Sequence, residues 1–282
     1  MGAVRIPFFQ VDAFTRKPFA GNPAAVCLLP KDGLAERLLQ QIAAENNLSE
    51  TAFLLRQGSQ GRTLRYQLRW FTPTTEVDLC GHATLASAHV LFTQVDPQAE
   101  TVEFLTRSGL LRVQRQGEQL MMDFPAQPIQ PWPEAMERVS AALGVVPLEL
   151  YQGGMGLAVL ASARQVQQLQ PNLAEVKALA GSGLIVTASA EDIEELDFVS
   201  RVFAPQLGIP EDPVTGSAHC LLIPYWAERL GKVELRARQV SARGGELFCR
   251  ALGSRVEIAG YAVLVIAGEV LLDQFLKASS NG

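Results

Sequence analysis

Leu64, Tyr66, Leu68 and Trp70 alternate with Arg65, Gln67 and Arg69. That period of two predicts a strand with one buried face. Residues 5–14 and 24–29 also read as strands, joined by the turn-prone Phe19-Ala20-Gly21-Asn22-Pro23. Between these stretches the period changes. Leu34, Leu38, Leu39, Ile42 and Ala43 recur at helical spacing, Asp32 stands where a cap belongs, and Asn46-Asn47 mark the end. From Ala83 to Phe92 the chain is apolar nearly all round, which predicts a helix buried inside other elements. Residues 101–124 form a meander with turns at Ser108-Gly109 and Gln116-Gly117. Later, helices are expected around 134–143 and 162–180 and strands around 183–188 and 197–204. A second buried helix follows Gly216, with Pro224 as an expected kink. Strands at Val256–Ala259 and Ala262–Ala267 close the series.

This pattern occurs twice. Arg69-Trp70-Phe71-Thr72-Pro73 leads to Asp78-Leu79-Cys80-Gly81-His82-Ala83, and Arg201-Val202-Phe203-Ala204-Pro205 leads to Asp212-Pro213-Val214-Thr215-Gly216-Ser217-Ala218. The offset between the two arginines is 201 − 69 = 132, close to half of the 282 residues. Ala52–Leu55 precedes Leu184–Thr187 by the same offset. A repeat of this length means two similar lobes rather than a solenoid. The Pro-rich stretch from Pro125 to Pro133 places the boundary, giving lobes at 1–124 and 125–282. The expected fold is α+β, each lobe a barrel-like mixed sheet around a central helix. An enzyme with its chemistry between the lobes is the expectation.

Composition narrows the class. At 48% hydrophobic content and net charge −5, with both signs dispersed, the chain can bury a sizeable core and carries no basic patch for nucleic acid. Cys27, Cys80, Cys220 and Cys249 show no CxxC pairing, a usage that fits a reducing cytoplasm. The N-terminus lacks an apolar signal-peptide core, Ile6 excludes a myristoylation motif, and the best apolar run, Tyr261–Ala267, is far short of the roughly 20 residues of a membrane helix. A cytoplasmic protein with no membrane partner is expected.

The chemistry-bearing residues gather at the two predicted helix starts. Gly81 and Gly216 would let backbone N–H groups approach a carboxylate or phosphate, favoured there by the helix dipole. One such turn alone is more often a plain cap; two symmetric copies favour a site. His82, beside the first glycine, has an ordinary pKa of about 6.5 that suits proton transfer. His89 and His219 read as packing residues. Asp212 is either a helix cap or an orienting partner for His82, and Asp78 reads as a cap. By composition Glu45 is a surface residue at a helix end. Cys80, at a helix N-terminus, should have a lowered pKa and is a second candidate base, although an inert buried thiol is commoner. No His/Cys/carboxylate spacing resembles a metal site.

These segments together resemble the PhzF-like isomerase family of phenazine biosynthesis, related in fold to diaminopimelate epimerase and proline racemase. The resemblance rests on Val11–Thr15, Phe19–Val26, Glu45–Phe53, Arg69–Pro73, Asp78–Thr84, Met122–Pro125, Asp212–His219 and Arg243–Leu247. It implies a homodimer acting without metal or cofactor, moving a proton on a small carboxylate-bearing molecule. It assigns Glu45 as the acid–base residue, with His82 and Asp212 as its polar partners. Asn22, Ser49, Gly81, Gly216 and Ser217 are implied as substrate-binding residues. A closed cleft would raise the pKa of Glu45 into a useful range. Two alternatives stay open: a single-thiol epimerase or dehydratase of the proline-racemase type using Cys80 opposite Thr215, and a non-catalytic small-molecule binder.

Overall fold

The computed structural model describes residues 5–31, 33–190, 193 and 195–272. In chain order the first elements are β1 (Arg5–Ala13), β2 (Asn22–Leu28), α1 (Glu36–Asn46), β3 (Thr51–Gln60), β4 (Thr63–Phe71), β5 (Glu76–Val77), α2 (Gly81–Val90), β6 (Thr101–Thr106), β7 (Gly109–Gln116) and β8 (Gln119–Pro125). There follow β9 (Gln130–Pro131), α3 (Met136–Leu143), β10 (Glu149–Gln152), β11 (Gly156–Val159), α4 (Ala163–Gln168), α5 (Leu173–Lys177) and β12 (Leu184–Ser189). The last are β13 (Phe198–Ala204), β14 (Ile209–Asp212), α6 (Gly216–Leu230), β15 (Glu234–Gln239), β16 (Gly245–Leu252), β17 (Arg255–Gly260) and β18 (Ala262–Leu271).

Two compact units form, and neither is a contiguous half. Residues 5–13, 23–120 and 262–272 make the first, and residues 14–22 and 121–261 the second. A single cut between 124 and 125 therefore does not describe them. The physical reason is strand pairing: β18 lies antiparallel to β1 from Arg5↔Leu271 to Ala13↔Ala262, which returns the end of the described chain to its first strand.

In the first unit β2 runs parallel to β3, β3 antiparallel to β4, β4 parallel to β6, and β6 antiparallel to β7. Strand β4 alternates as its sequence predicts, with Leu64, Tyr66, Leu68 and Trp70 buried. Helix α2 packs against β1, β3 and β18. Its residues 82–88 are all buried, so its near-uniform apolar sequence marks a central helix. Helix α1 buries Leu39, Ile42 and Ala43, and Asn47 closes it in the left-handed region at φ 50°. Its N-cap is Ala35; the expected cap, Asp32, lies outside the described residues.

The second unit repeats the order. Strand β11 is parallel to β12, β12 antiparallel to β13, β13 parallel to β15, and β15 antiparallel to β16, which pairs with β17. Helix α6 packs against β15, β16 and β17. Trp226 of α6 stacks on Phe198 at 5.7 Å between ring centres and donates its indole N–H to Thr187 Oγ1 at 3.0 Å. A separate cluster buries Trp132, Val139, Val166 and Val176 against Val186 and Phe203. The helical stretch expected over 162–180 is two short helices. Pro171 interrupts it, and Ser162 and Asn172 cap the pieces by accepting from Gln165 N–H and from Ala174 and Glu175 N–H. Pro224 sits inside α6 without ending it. A proline cannot donate to the carbonyl four residues back, and here the Gln127 N–H takes Cys220 O at 3.0 Å instead.

Candidate functional site

The repeated arginines shape the approach to each central helix. On β4, Arg69 grips Glu76 with Nε and Nη2 at 2.7 and 2.6 Å; on β13, Arg201 grips Glu211 with Nε and Nη2 at 2.7 and 2.9 Å. Each guanidinium also lies over the phenylalanine two residues on, 5.0 Å above Phe71 and 4.9 Å above Phe203. Both ion pairs fix a short hairpin, β4–β5 or β13–β14, that delivers the chain into α2 or α6.

The helices then start at glycines. The N-caps are Cys80 and Thr215, both extended and neither capping with its side chain. This corrects the cap reading of Asp78 and Asp212. With the backbone still extended at residues 80 and 215, both aspartates precede the cap itself and lie too far upstream to meet the first helical N–H groups. Gly81 and Gly216 are the first helical residues and do not adopt positive φ, so what they contribute is the absence of a side chain.

Behind the α2 entrance lies a cluster that the sequence reading only half assembled. His82 is 5% exposed, with Nδ1 3.4 Å from Cys80 Sγ and Nε2 3.3 Å from Glu50 Oε2, the latter contact not aligned as a hydrogen bond. Burial pushes the imidazole pKa down to about 3, against a smaller upward pull from the Pro23 carbonyl. His82 is therefore a neutral imidazole near pH 7, not a group titrating at 6.5. Glu50, its side chain 13% exposed, starts the step from the α1–β3 turn into β3. Ser49 is half-buried in that turn, which Asn46 pins by donating to Thr51 Oγ1 at 3.1 Å.

Glu45 lies elsewhere. It is exposed on α1 and borders a groove of about 580 Å³ whose walls include Leu38, Ile42, Val270 and Leu272. The helical phase decides this: Leu39, Ile42 and Ala43 take the buried face, so Glu45 falls on the other. The glutamate beside His82 is Glu50, five residues further along. The available signal was its place in Leu48-Ser49-Glu50-Thr51-Ala52-Phe53, where a charge immediately precedes a strand whose first four residues are buried.

In the second unit Asp212 is held by donors on both oxygens. Asn22 Nδ2 reaches Oδ1 at 2.7 Å and also Val214 O at 2.9 Å, while the Thr215 hydroxyl reaches Oδ2 at 2.6 Å. Burial still raises this carboxyl to about 6, against a downward pull from the Thr215 and Asn22 hydrogen bonds, each larger than the small upward push from Glu211. Asn22, expected as a substrate-binding residue, thus spends its amide N–H groups on Asp212 and Val214. Ser217 is half-buried at the second position of α6. His219 is a packing residue, as its sequence context suggests: its Nδ1–H donates to Thr215 O at 2.8 Å and its ring lies 5.9 Å from Phe198.

Glu50, Cys80 and His82 offer donor atoms within 4.8 Å of one another, of types that bind a soft divalent ion. The sulfur faces one ring nitrogen and the carboxylate the other. Among the described residues, no helix is long and apolar enough to cross a membrane.

Comparison with known proteins agrees with this architecture. An uncharacterized isomerase of Pseudomonas aeruginosa is 51% identical over 270 residues, covering 95% of this chain and 100% of the relative. A phenazine biosynthesis-like domain-containing protein of Mus musculus is 43% identical, covering 94% and 99%. Among solved structures, a phenazine biosynthesis protein of the PhzF family from Enterococcus faecalis superposes with a TM-score of 0.88 at 46% identity, covering 95% and 99% of the two chains. A hydroxyproline epimerase from Agrobacterium vitis shares the fold alone, with a TM-score of 0.58 at 13% identity over 96% and 94%. Residues 11–268 match the phenazine biosynthesis-like protein family, and the chain belongs to it.

Proposed function

We propose that this protein is an isomerase that moves a proton within a small carboxylate-bearing molecule, with Glu50 as the acid–base group. The observation that carries this reading is the Glu50 carboxylate set 3.3 Å from a buried neutral imidazole at the entrance of α2. Removing a proton from carbon beside a π-system needs a positioned base and preorganised donors for the charge that develops. Glu50 supplies the base. The α2 entrance, with no side-chain cap, supplies backbone N–H groups, and neutral His82 can donate or accept at Nε2 without introducing a charge. Glu50 replaces Glu45 in this role. The isomerase name of the Pseudomonas relative supports the reaction class. In the second unit, Asp212, at about 6, is the other carboxyl poised to exchange a proton near neutral pH.

The test is solvent exchange in D₂O with a panel of unsaturated carboxylates, followed by NMR. Glu50→Gln should reduce deuterium incorporation by about 100-fold or more, and Glu45→Gln should leave it near the wild-type rate. Wild-type exchange in Glu50→Gln would remove Glu50 from the mechanism. A second reading has one observation in its favour: Cys80 Sγ lies 3.4 Å from the other ring nitrogen of His82, where a thiol could serve as the base. Full exchange in Cys80→Ala would exclude it.

A further inference from the structure

Gln239, the last residue of β15, is completely buried and spends its amide on one loop. Its Oε1 accepts the Thr215 N–H at 2.9 Å. Its Nε2 donates to Asp212 O at 2.6 Å and to Thr215 Oγ1 at 3.1 Å. The orientation of this amide is determined, because the flipped form would set N–H against N–H and oxygen against oxygen. Thr215 Oγ1 has one proton. With an N–H of Gln239 pointing at the hydroxyl oxygen, that proton has to lie on the other side, towards Asp212 Oδ2 at 2.6 Å.

We infer that Gln239 is a positioning residue for Asp212, acting through Thr215 by aiming the hydroxyl proton at the carboxylate. The inference rests on the proposed reading only in giving Asp212 a chemical role. Hydrogen bonds to the ionised form favour that form, so losing the aimed proton should make Asp212 harder to ionise. Glu211, whose charge pushes the Asp212 carboxyl up, and the Arg201 that grips Glu211 are untouched by a change at 239.

The experiment is a carboxyl-¹³C titration of the full chain labelled at aspartate, with the Asp212 signal identified by its loss in Asp212→Asn. Gln239→Leu should raise the Asp212 midpoint by about one pH unit, the size expected for one hydrogen bond to a charged group. Thr215→Val should raise it at least as far, and the double variant no further than Thr215→Val alone. A residue that merely packs would lower the melting temperature and leave the midpoint in place. Should Gln239→Leu fail to fold, Gln239→Met keeps the stem and gives the same readout. An unmoved midpoint in the folded Gln239 variant, or shifts that add in the double variant, overturns the inference. No substrate enters the titration, so its failure is distinguishable from failure of the isomerase reading, which solvent exchange tests.

Discussion

Single residues in the second unit are placed by very close approaches. Phe14 is fully buried in the left-handed region at φ 63°, a conformation that a bulky residue adopts only when its surroundings hold it there. They do so through glycines. A Cβ on Gly245 would lie 2.4 Å from Val214 Cγ2 and 3.0 Å from Phe14 O, and one on Gly260 would lie 2.6 Å from the Phe14 ring. Gly245→Ala should therefore cost about 1–3 kcal/mol in urea unfolding, and it should also disturb the Asp212 signal, because Val214 O is one of the two acceptors that position Asn22. A neutral effect on both would show that Val214 can yield freely. At this scale the sequence disclosed residue types better than their neighbours. The segment holding Glu50 is visible in the chain, and so are His82 and Cys80. Which of two glutamates meets His82 depends on the phase of α1 and on where β3 begins, and a side-chain pattern fixes element boundaries only loosely.

Between elements, the duplicated arginine shows how one motif acquires different weights. Arg201 is 8% exposed and, besides Glu211, donates to Val166 O and Leu169 O at 3.3 and 2.6 Å, tying α4 to β13. Arg69 is more exposed, and its partner Glu76 has a second cation in Arg107 at 2.5 Å. Removing one member of a buried pair leaves the other charge without compensation. Arg201→Met should destabilise the protein by about 3 kcal/mol or more, and Arg69→Met by clearly less, as chemical denaturation would measure. Equal losses would mean that Arg107 gives Glu76 no support. The repeat itself was legible because Arg-x-Phe recurs after 132 residues and the small-residue turn after 135 (216 − 81), in the same order. The interchange of segments between units was not, since β1–β18 pairing joins residues 249 to 266 positions apart (262 − 13 and 271 − 5) and leaves no local pattern.

For the molecule as a whole, buried titrating groups set the response to acid. Burial holds His82 at about 3 and His89 and His219 at about 4, so the folded protein keeps all three neutral where the unfolded chain would protonate them below about 6.5. Between pH 4 and 6.5 the unfolded state thus binds more protons at these sites, and stability falls as pH falls. Asp212 acts in the opposite sense. Its folded value near 6 exceeds the ordinary 3.8, so the folded state holds the extra proton between those limits and gains stability as pH drops through 6. Three histidines against one carboxyl leave a net difference of two protons near pH 5, which corresponds to about 2.7 kcal/mol per pH unit at the steepest point. Carboxylates held low by arginines, such as Glu36 and Glu103, lose their contribution only at lower pH, as it falls through their depressed folded values. Urea unfolding from pH 4.5 to 7.5 should show stability level above 6.5 and falling steeply below it. His89→Leu should reduce the slope by about half, because it removes one of the two net protons. A stability that stays flat between pH 4.5 and 6.5 would mean that the three imidazoles accept protons in the folded state and that His82 is not the neutral partner Glu50 requires.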